Sequence, residues 1–342
     1  MTESKARSAI RQAKRVCIKA GTSVVANEDG RPSLTRLGAM TEQIAELRAQ
    51  DVQVIFVSSG AVGMGKRLLR KEEKMRMMSI NDMQNDRDAV PLQRTPQSFV
   101  DLINSDTRPH SSAQKKKHYD SACAAAGQFE MMSLYCSLFS QYDIAASQIL
   151  VTQSDFLDPK RLQNLTYAME RLLERGIVPI INENDAVSAN TGYTADDVFS
   201  DNDSLAALCA RSFGADVLLL LTDVQGVFDK PPSEPGSKKL DLYVTESSEV
   251  AIGAKSAQGR GGMASKIDAA TSAVAPGSKC GACVIASGAD LNSIKSILGQ
   301  DKGHETKGTL FLTPGSPSEQ LAVNEMKALQ VSRMFPLRTG NE

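Results

Sequence analysis

Several residue types that mark particular protein classes are scarce or absent. The 342-residue sequence has no tryptophan, and aromatic residues make up 5% of it, which argues against a surface that stacks single-stranded bases. Lysine and arginine number 39 against 40 aspartates and glutamates, so no general attraction to nucleic acid or anionic lipid is expected. No apolar run approaches the roughly 18 to 20 residues that span a bilayer, and the polar N-terminus lacks the apolar segment of a secretory signal. We therefore expect a cytoplasmic protein that binds neither nucleic acid nor membrane.

Cysteine and histidine are also too few, and too irregularly spaced, for a structural metal site. One Cys-x-x-Cys pair, Cys280 and Cys283, has no second pair, and the three histidines are not at ligand spacing. The remaining cysteines lie inside apolar stretches, where small buried thiols are common. We expect all six to be reduced and buried, and no metal ion to be held by protein ligands. The six are Cys17, Cys123, Cys136, Cys209, Cys280 and Cys283.

The sequence does contain short apolar runs that alternate with helical segments. The runs are continuous, which is typical of strands covered on both faces, as in a parallel sheet. They cover residues 16–18, 52–57, 144–151, 177–181, 217–221 and 282–286. Helical spacing is found in residues 34–50, 122–142, 159–175, 202–213, 263–274 and 292–298. This alternation predicts an α/β fold built from β-α-β units.

One long segment interrupts this alternation. Residues 70–120 contain three prolines and a basic run, with no strong periodicity. A segment of this kind predicts a functional loop or a mobile excursion from the fold. Near the C-terminus, residues 319–333 have the spacing of one amphipathic helix.

Two glycine-containing loops, one after a predicted strand and one before a predicted helix, could bind an anion. Lys19 and Gly21 come directly after the first apolar run, and residues 259–266 place glycines before a helix that starts with Met263 and carries Lys266. Backbone N–H groups at such positions, with a nearby ammonium group, can hold a phosphate. A third loop, residues 58–65, has three glycines, but it fits neither the dinucleotide fingerprint nor the P-loop spacing.

A fourth site combines carboxylates and carboxamides. Residues 182–185 read Asn-Glu-Asn-Asp after an apolar run, and residues 201–203 read Asp-Asn-Asp before a helix. Such side chains can bind an ammonium group, orient a lysine or hold Mg²⁺. They can equally cap the helix that follows, and the sequence leaves these alternatives open.

Taken together and in this order, the motifs resemble those of one family. They are IKAGTSVV, VSSGAVGMG, AAAGQ, INENDAV, SDNDSLAAL, LLLLTDVQGVFD, GRGGMASKIDAA, VIASG and GTLF. The set is similar to the glutamate 5-kinases of the amino acid kinase family, from about Arg15 to Phe311. The resemblance implies a three-layer α/β/α sandwich around a mainly parallel sheet.

The resemblance also implies an activity. Enzymes of this group transfer the γ-phosphoryl group of ATP, bound with Mg²⁺, to the γ-carboxylate of L-glutamate, the first step of proline biosynthesis. L-Proline is then an expected inhibitor, and a homodimer or homotetramer the expected assembly. Two alternatives are a sister kinase acting on acetylglutamate or aspartate, and a non-catalytic glutamate or proline sensor of the same fold.

Site residues follow from the resemblance by matching motif positions. Lys19 and Lys266 would be the catalytic lysines, and Asp203 would hold them in place. The residues matching the glutamate site are Ser59, Gly60, Asp185 and Asn202. Those matching the nucleotide site are Lys19, Gly21, Thr222, Asp223, Gly261, Gly262, Met263 and Lys266. Backbone amides of Gly21, Gly60 and Gly262 would contact phosphate oxygens.

The resemblance divides the chain into three parts. We expect an N-terminal extension at residues 1–14, the kinase domain at residues 15–313 with the excursion at about 70–120, and a C-terminal tail at residues 314–342. The tail is too short for the RNA-binding-like PUA domain or the reductase domain found in some relatives. Ala20 departs from the larger apolar residue usual in the family, and residues 190–200 differ from the usual segment.

Overall fold

The protein folds around one eight-stranded sheet. A computed structural model describes residues 10–85, 112–188, 199–244, 262–299 and 307–324. The strands are β1 (Arg15–Ala20), β2 (Gln53–Ser58), β3 (Ala146–Val151), β4 (Val178–Glu183), β5 (Val217–Thr222), β6 (Leu242–Tyr243), β7 (Ala282–Ser287) and β8 (Thr309–Leu312). Their order in the sheet is β3-β4-β2-β1-β5-β7-β8-β6. All neighbouring strands pair in parallel except β7 and β8.

Helices connect most of these strands. They are α1 (Thr22–Val25), α2 (Leu34–Ala49), α3 (Ala61–Asn85), α4 (Ser112–Ser140), α5 (Gln153–Leu157), α6 (Pro159–Glu174), α7 (Asn202–Ser212), α8 (Met263–Ala273) and α9 (Ser293–Ile297). The start of α6 shows how local sequence sets a boundary. Asp158 accepts hydrogen bonds from the N–H groups of Lys160 and Arg161, and Pro159 occupies the first helical position.

Helices cover both faces of the sheet, so the predicted three-layer α/β/α sandwich is confirmed. Alternate residues of β1 belong to different cores: Val16 and Ile18 pack with α2 and α4, whereas Cys17 packs with α6, α7 and α8. The period-2 alternation of a strand explains this division. β5 is buried along its whole length, which accounts for its continuous run of leucines.

Strand parity also determines where Lys19 lies. Because side chains alternate along β1, Lys19 shares its face with Cys17. That face is covered by α7 and α8. The parallel register pairs Lys19 with Val57 of β2 and Leu220 of β5, so this lysine lies at the centre of the sheet, near the carboxyl ends of three strands.

The prediction of an irregular segment at residues 70–120 is wrong at both ends. Helix α3 continues to Asn85, and helix α4 begins at Ser112. Residues 86–111 lie outside the described part of the chain, as do residues 325–342 with most of the predicted C-terminal helix. Polar residues hid the helical period here, because the two helices pack mainly against each other rather than presenting a simple apolar face to the sheet.

Glycines allow α3 and α4 to approach closely. A Cβ atom added at Gly65 would lie 1.7 Å from the carbonyl oxygen of Cys123, and one added at Gly127 would lie 2.0 Å from the carbonyl oxygen of Ala61. The two helix backbones are therefore in direct contact. Gly65, which the sequence placed in a ligand-approaching glycine loop, instead serves helix packing.

The cysteines are all free thiols, and five are buried. The expectation fails for Cys136, which is exposed on α4. Cys283 lies within β7 and Cys280 just before it, consistent with small residues that begin a strand. Across the described ranges, no helix combines the length and apolarity needed to cross a membrane.

The glycine contact between α3 and α4 leads to a stability prediction. We expect Gly65→Ala to lower the free energy of unfolding by about 1–3 kcal/mol, because the new methyl group must displace backbone. Gly63→Ala on the same helix is the matched control, since no atom lies within 4 Å of its added Cβ. That variant should be neutral or stabilising. Urea unfolding followed by circular dichroism measures both, and equal effects of the two variants would contradict the packing role.

Candidate functional site

The candidate site lies where β1, β2 and β5 end. The chain leaves these strands at Gly21, Ser59 and Asp223, and α7 and α8 bring their N-termini to the same edge. Ligands of open α/β sheets commonly bind at this edge, outside the carboxyl ends of the strands. Two side-chain clusters meet there, one cationic and one made of amides and hydroxyls.

The cationic cluster consists of two lysines on one carboxylate. Lys19 Nζ lies 2.6 Å from Asp203 Oδ1, and Lys266 Nζ lies 3.0 Å from Asp203 Oδ2. The side chains of Lys19, Asp203 and Lys266 are 6%, 5% and 12% exposed. Because two ammonium groups share one carboxylate, the cluster keeps one excess positive charge in a nearly buried position. Such a charge calls for an anionic partner.

The electrostatics of Asp203 follow from this arrangement. Burial by itself raises the pKa of the Asp203 carboxyl, but the adjacent Lys19 and Lys266 ammonium groups lower it by more. Its pKa therefore lies below the usual range, and the carboxylate is ionised at neutral pH. Each oxygen faces a different lysine, so the carboxylate fixes the separation of the two ammonium groups.

Local sequence at the start of α7 aims Asp203 at the lysines. Asp201 is the N-cap, and its carboxylate accepts from the N–H groups of Asp203 and Ser204. Ser204 Oγ in turn accepts from the Asp201 N–H at 3.0 Å, completing a capping box. The capping alternative seen in the sequence is therefore correct for Asp201, while Asn202 and Asp203 are left to face the site.

The second cluster surrounds Asn202. Its Nδ2 group donates to Ser59 Oγ at 2.9 Å and to Asn182 Oδ1 at 3.1 Å. It also lies 3.2 Å from the carbonyl oxygen of Ser58. Asn182 donates onward to Gln128 Oε1 at 2.9 Å. One amide thus links the ends of β2 and β4 to the first turn of α7.

A cavity of about 540 Å³ opens beside this network. Its walls include Asp185, Gln128 and Glu183 together with apolar side chains such as Met132 and Leu150. Gln128 is 7% exposed, and within the described residues its Nε2 group has no hydrogen-bond partner. Lys19, Asp203 and Lys266 do not line the cavity, and of the hydrogen-bonded residues Gln128, Asn182 and Asn202 only Gln128 does.

The glycines predicted to contact phosphate differ in their backbone hydrogen bonds and conformations. The N–H group of Gly21 donates to the carbonyl oxygen of Leu221 at 3.1 Å, so it is already engaged by the sheet, and its contact with phosphate stays a prediction. A Cβ atom added at Gly21 would lie 3.3 Å from both the Leu221 carbonyl oxygen and Lys19 Nζ, so a side chain there would fit tightly. At Gly60, φ is 111°, a conformation that side chains disfavour.

The other residues predicted to bind the nucleotide lie at the start of α8 and at the end of β5. Gly262 is the N-cap of α8 and has no side chain to cap the N–H groups of the first turn, and no acidic residue lies in that turn. Met263 begins the helix, and Gly261 lies outside the described residues. Thr222 is buried at the end of β5 and donates to Asp223 Oδ1 at 2.9 Å.

The sequence reasoning missed four residues of this neighbourhood. The family resemblance assigned no role to Gln128 or Ser265, and Asn182 and Asp201 were considered only as polar loop residues or helix caps. The signal for Gln128 was a lone amide among small apolar residues in AAAGQ. No local signal shows that Asn182 bonds to Gln128, because the two are 54 residues apart in sequence.

Solved structures with the same architecture are kinases of small molecules. A carbamate kinase from Giardia lamblia bound to AMP-PNP matches with a TM-score of 0.53 and 14% identity, covering 89% of this chain and 99% of that one. An isopentenyl phosphate kinase matches with a TM-score of 0.52 and 14% identity, covering 87% and 99%. At this identity the likeness shows the fold alone.

Sequence comparison identifies the family. The model of the amino acid kinase family matches residues 14–286. A glutamate 5-kinase from Streptococcus agalactiae is 33% identical over 302 residues, covering 87% of this chain and 96% of the relative. The chain therefore belongs to the amino acid kinase family, as the motifs predicted.

Longer plant relatives match more strongly. Delta-1-pyrroline-5-carboxylate synthase 1 from Oryza sativa subsp. japonica is 42% identical over 309 residues, covering 89% of this chain. The chain spans only 38% of the length of that relative. The similarity thus concerns one part of a larger protein.

The buried cluster leads to a prediction about stability and pH. We expect Asp203→Asn to lower the free energy of unfolding by about 3 kcal/mol near pH 7, because two buried ammonium groups lose their counter-charge. The folded pKa of Asp203 is depressed, so its contribution is fully present above the unfolded pKa of about 4 and is lost as pH falls through the lower folded value.

The measurement is urea unfolding of both proteins at several pH values. The stability difference should be constant from about pH 5 to 7 and should shrink below about pH 4. Asp241→Asn is the control, since Asp241 makes an exposed ion pair of 3.5 Å with Lys239 and should change stability by at most about 1 kcal/mol. A difference that grew on acidification would contradict the assigned ion pairs.

Proposed function

We propose that the protein is a glutamate 5-kinase: it transfers the γ-phosphoryl group of ATP to the γ-carboxylate of L-glutamate, as the first step of proline biosynthesis. The observation that carries the proposal is the buried Lys19–Asp203–Lys266 cluster with its one excess positive charge. Support for the substrate comes from streptococcal relatives named glutamate 5-kinase, of which one is matched over 96% of its length.

The chemistry requires positioning and charge neutralisation rather than acid–base catalysis. A γ-carboxylate oxygen attacks the γ-phosphorus, the bond to the bridging oxygen of ADP breaks, and ADP leaves with that electron pair. The carboxylate is already ionised at pH 7, so no general base is needed. Negative charge spreads over the transferring phosphoryl oxygens. Lys19 and Lys266, held at fixed separation by Asp203, would stabilise that charge without reorganisation.

In this proposal, residues on one side of the lysines would bind ATP and residues on the other side would bind L-glutamate. The uncapped first turn of α8, beginning at Gly262 and Met263, would direct its N–H groups toward the ATP phosphates. Thr222 and Asp223 would border the nucleotide at the end of β5. On the other side, Ser59, Gly60 and Asn202 would hold L-glutamate.

Asp185 would pair with the α-ammonium group of L-glutamate. Its place in the cavity wall supports this role, because an acidic side chain there can face a substrate cation while Gln128 offers an amide donor. An N-acetylated substrate has no such cation. The site therefore favours the free amino acid over acetylglutamate.

Mg²⁺ would enter with ATP rather than bind to the protein first. Both oxygens of Asp203 are engaged by lysines, and the described residues contain no group of three or more His, Cys, Asp or Glu side chains that could hold a metal. These residues do not form a protein donor set for the ion. The ATP phosphates supply oxygen ligands that Mg²⁺ prefers.

Three further expectations accompany the proposal. L-Proline, the end product of the pathway, would inhibit the enzyme. The chain would form a homodimer or homotetramer, supported by Phe129, which is 76% exposed in the same cavity wall as Leu150. The protein would act in the cytoplasm, in keeping with its free thiols.

The proposal is tested by trapping the acyl phosphate. Protein, Mg²⁺, ATP and L-glutamate are incubated with hydroxylamine, which converts an acyl phosphate to a coloured hydroxamate. We expect signal with L-glutamate, much less with acetylglutamate or aspartate, and a decrease on adding L-proline. Folded protein that gave no hydroxamate with any acid would overturn the proposed activity. Equal signal with L-proline present would remove only the feedback expectation.

In the same assay, Lys266→Ala should lower kcat by at least about 100-fold, because it removes a charge that stabilises the transferring phosphoryl group. Calorimetry should still show L-glutamate binding, since the Asn202 network does not depend on Lys266. Lys295→Ala is the matched control, because Lys295 forms an ion pair of 2.6 Å with Glu46 away from this site. Near-normal turnover of Lys266→Ala would contradict the assigned role.

Asp185→Asn tests substrate recognition separately from phosphoryl transfer. We expect the KM for L-glutamate to rise about tenfold or more, because a charge pair with the substrate ammonium is lost, while the KM for ATP stays within about twofold. Glu183→Gln changes another carboxylate of the same cavity wall and should have the smaller effect. Equal increases in both KM values would argue against an ammonium-binding role of Asp185.

A further inference from the structure

The helices that carry Asp203 and Lys266 begin in different ways. Helix α7 is closed at its N-terminus by the Asp201 side chain in a capping box. Helix α8 starts from Gly262, which has no side chain to cap it. Glycine is an accepted N-cap residue, but it makes no side-chain bond to the first turn, so a further attachment would help Lys266, in that turn, to keep one position.

That attachment comes from the cap of the other helix. Asp201 Oδ1 accepts from the N–H groups of Asp203, at 3.1 Å, and Ser204, at 2.8 Å. Asp201 Oδ2 accepts a hydrogen bond from Ser265 Oγ. The same carboxylate therefore caps α7 and holds the first turn of α8.

Two connections now join the same two helix starts. One is the ion pair between Lys266 Nζ and Asp203 Oδ2 at 3.0 Å. The other is the bond between Ser265 and Asp201, made by the residue before Lys266 and the residue two before Asp203. A lysine side chain has several rotatable bonds, so the ion pair alone would leave the first turn of α8 some freedom to move. The short serine link removes that freedom.

We infer that Ser265 is a positioning residue for phosphoryl transfer: its hydrogen bond to Asp201 fixes the N-terminus of α8 and thereby the place of the Lys266 ammonium group. The inference rests on the proposed function and adds a residue outside the reacting groups. Its consequence is specific. Loss of the hydroxyl should slow the chemical step, which depends strongly on geometry, and should leave L-glutamate binding unchanged.

Three variants of the full chain test this role. Ser265→Ala removes the hydroxyl, and since alanine is the stronger helix former, a loss of activity would not come from a weaker helix. Ser265→Thr keeps a hydroxyl at the same position. Ser272→Ala is the matched control: Ser272 also joins α8 to α7, by accepting from Arg211 Nη1 at 3.3 Å, but it lies seven residues, about two helical turns, beyond Ser265.

We expect Ser265→Ala to lower kcat for hydroxamate formation about tenfold, with the KM for L-glutamate within about twofold of wild type. Ser265→Thr should restore most of the activity, and Ser272→Ala should match wild type. Hydrogen exchange without ligands should speed up at the N–H groups of residues 266–269, the first that bond back into α8, in Ser265→Ala only. This second readout shows the loss of the link independently of turnover.

The outcomes separate this inference from the proposed function. Wild-type protein that phosphorylates no glutamate overturns the proposed function, and the positioning role with it. Active wild type with an unchanged kcat in Ser265→Ala overturns only the inference. So does an equal loss in Ser272→Ala, which would indicate a general effect of joining the helices, or a change confined to the KM for ATP, which would make Ser265 a ligand-binding group.

Discussion

The Asp203 carboxylate is the group on which the rest of the site depends, because it allows two lysines to lie inside the protein. A buried ammonium group is costly without a partner, and here Lys19 and Lys266 each use one carboxylate oxygen. The need to bring both lysines to one carboxylate also constrains the fold. The parity of β1 must bring Lys19 to the face covered by α7 and α8, and both helices must begin at the same edge of the sheet. One excess positive charge remains, which a phosphate can neutralise.

The first turn of α7 serves both halves of the site. Successive side chains of a helix point about 100° apart. The adjacent residues Asn202 and Asp203 therefore face different directions. Asp203 meets the lysines, and Asn202 meets Ser59 and the Asn182–Gln128 amide chain. A shift of this turn would move the phosphate side and the amino acid side together. The Asp201 capping box is what holds the turn in place.

Glycine is required for different physical reasons at different positions of this structure. Gly60 adopts φ of 111°, Gly65 and Gly127 remove bulk between two helices, and Gly21 leaves space for the Lys19 side chain. In the sequence, Gly60 and Gly65 belong to one glycine-containing loop, residues 58–65. Their separate roles depend on which atoms face each Cα, and those atoms belong to residues far away in the chain, such as Cys123.

The sequence by itself determined the α/β class, six of the eight described strands, the loops that carry chemistry and, through its motifs, the family. These properties are local, since periodicity, caps and strand-end positions are written in neighbouring residues. Only the tertiary structure decided that Gly21 donates to Leu221, that α3 and α4 extend into residues 70–120, and that Ser265 shares the Asp201 carboxylate. Each of these depends on the distance between residues remote in sequence. Packing of the whole sheet and its two helical layers sets that distance, and no local pattern records it.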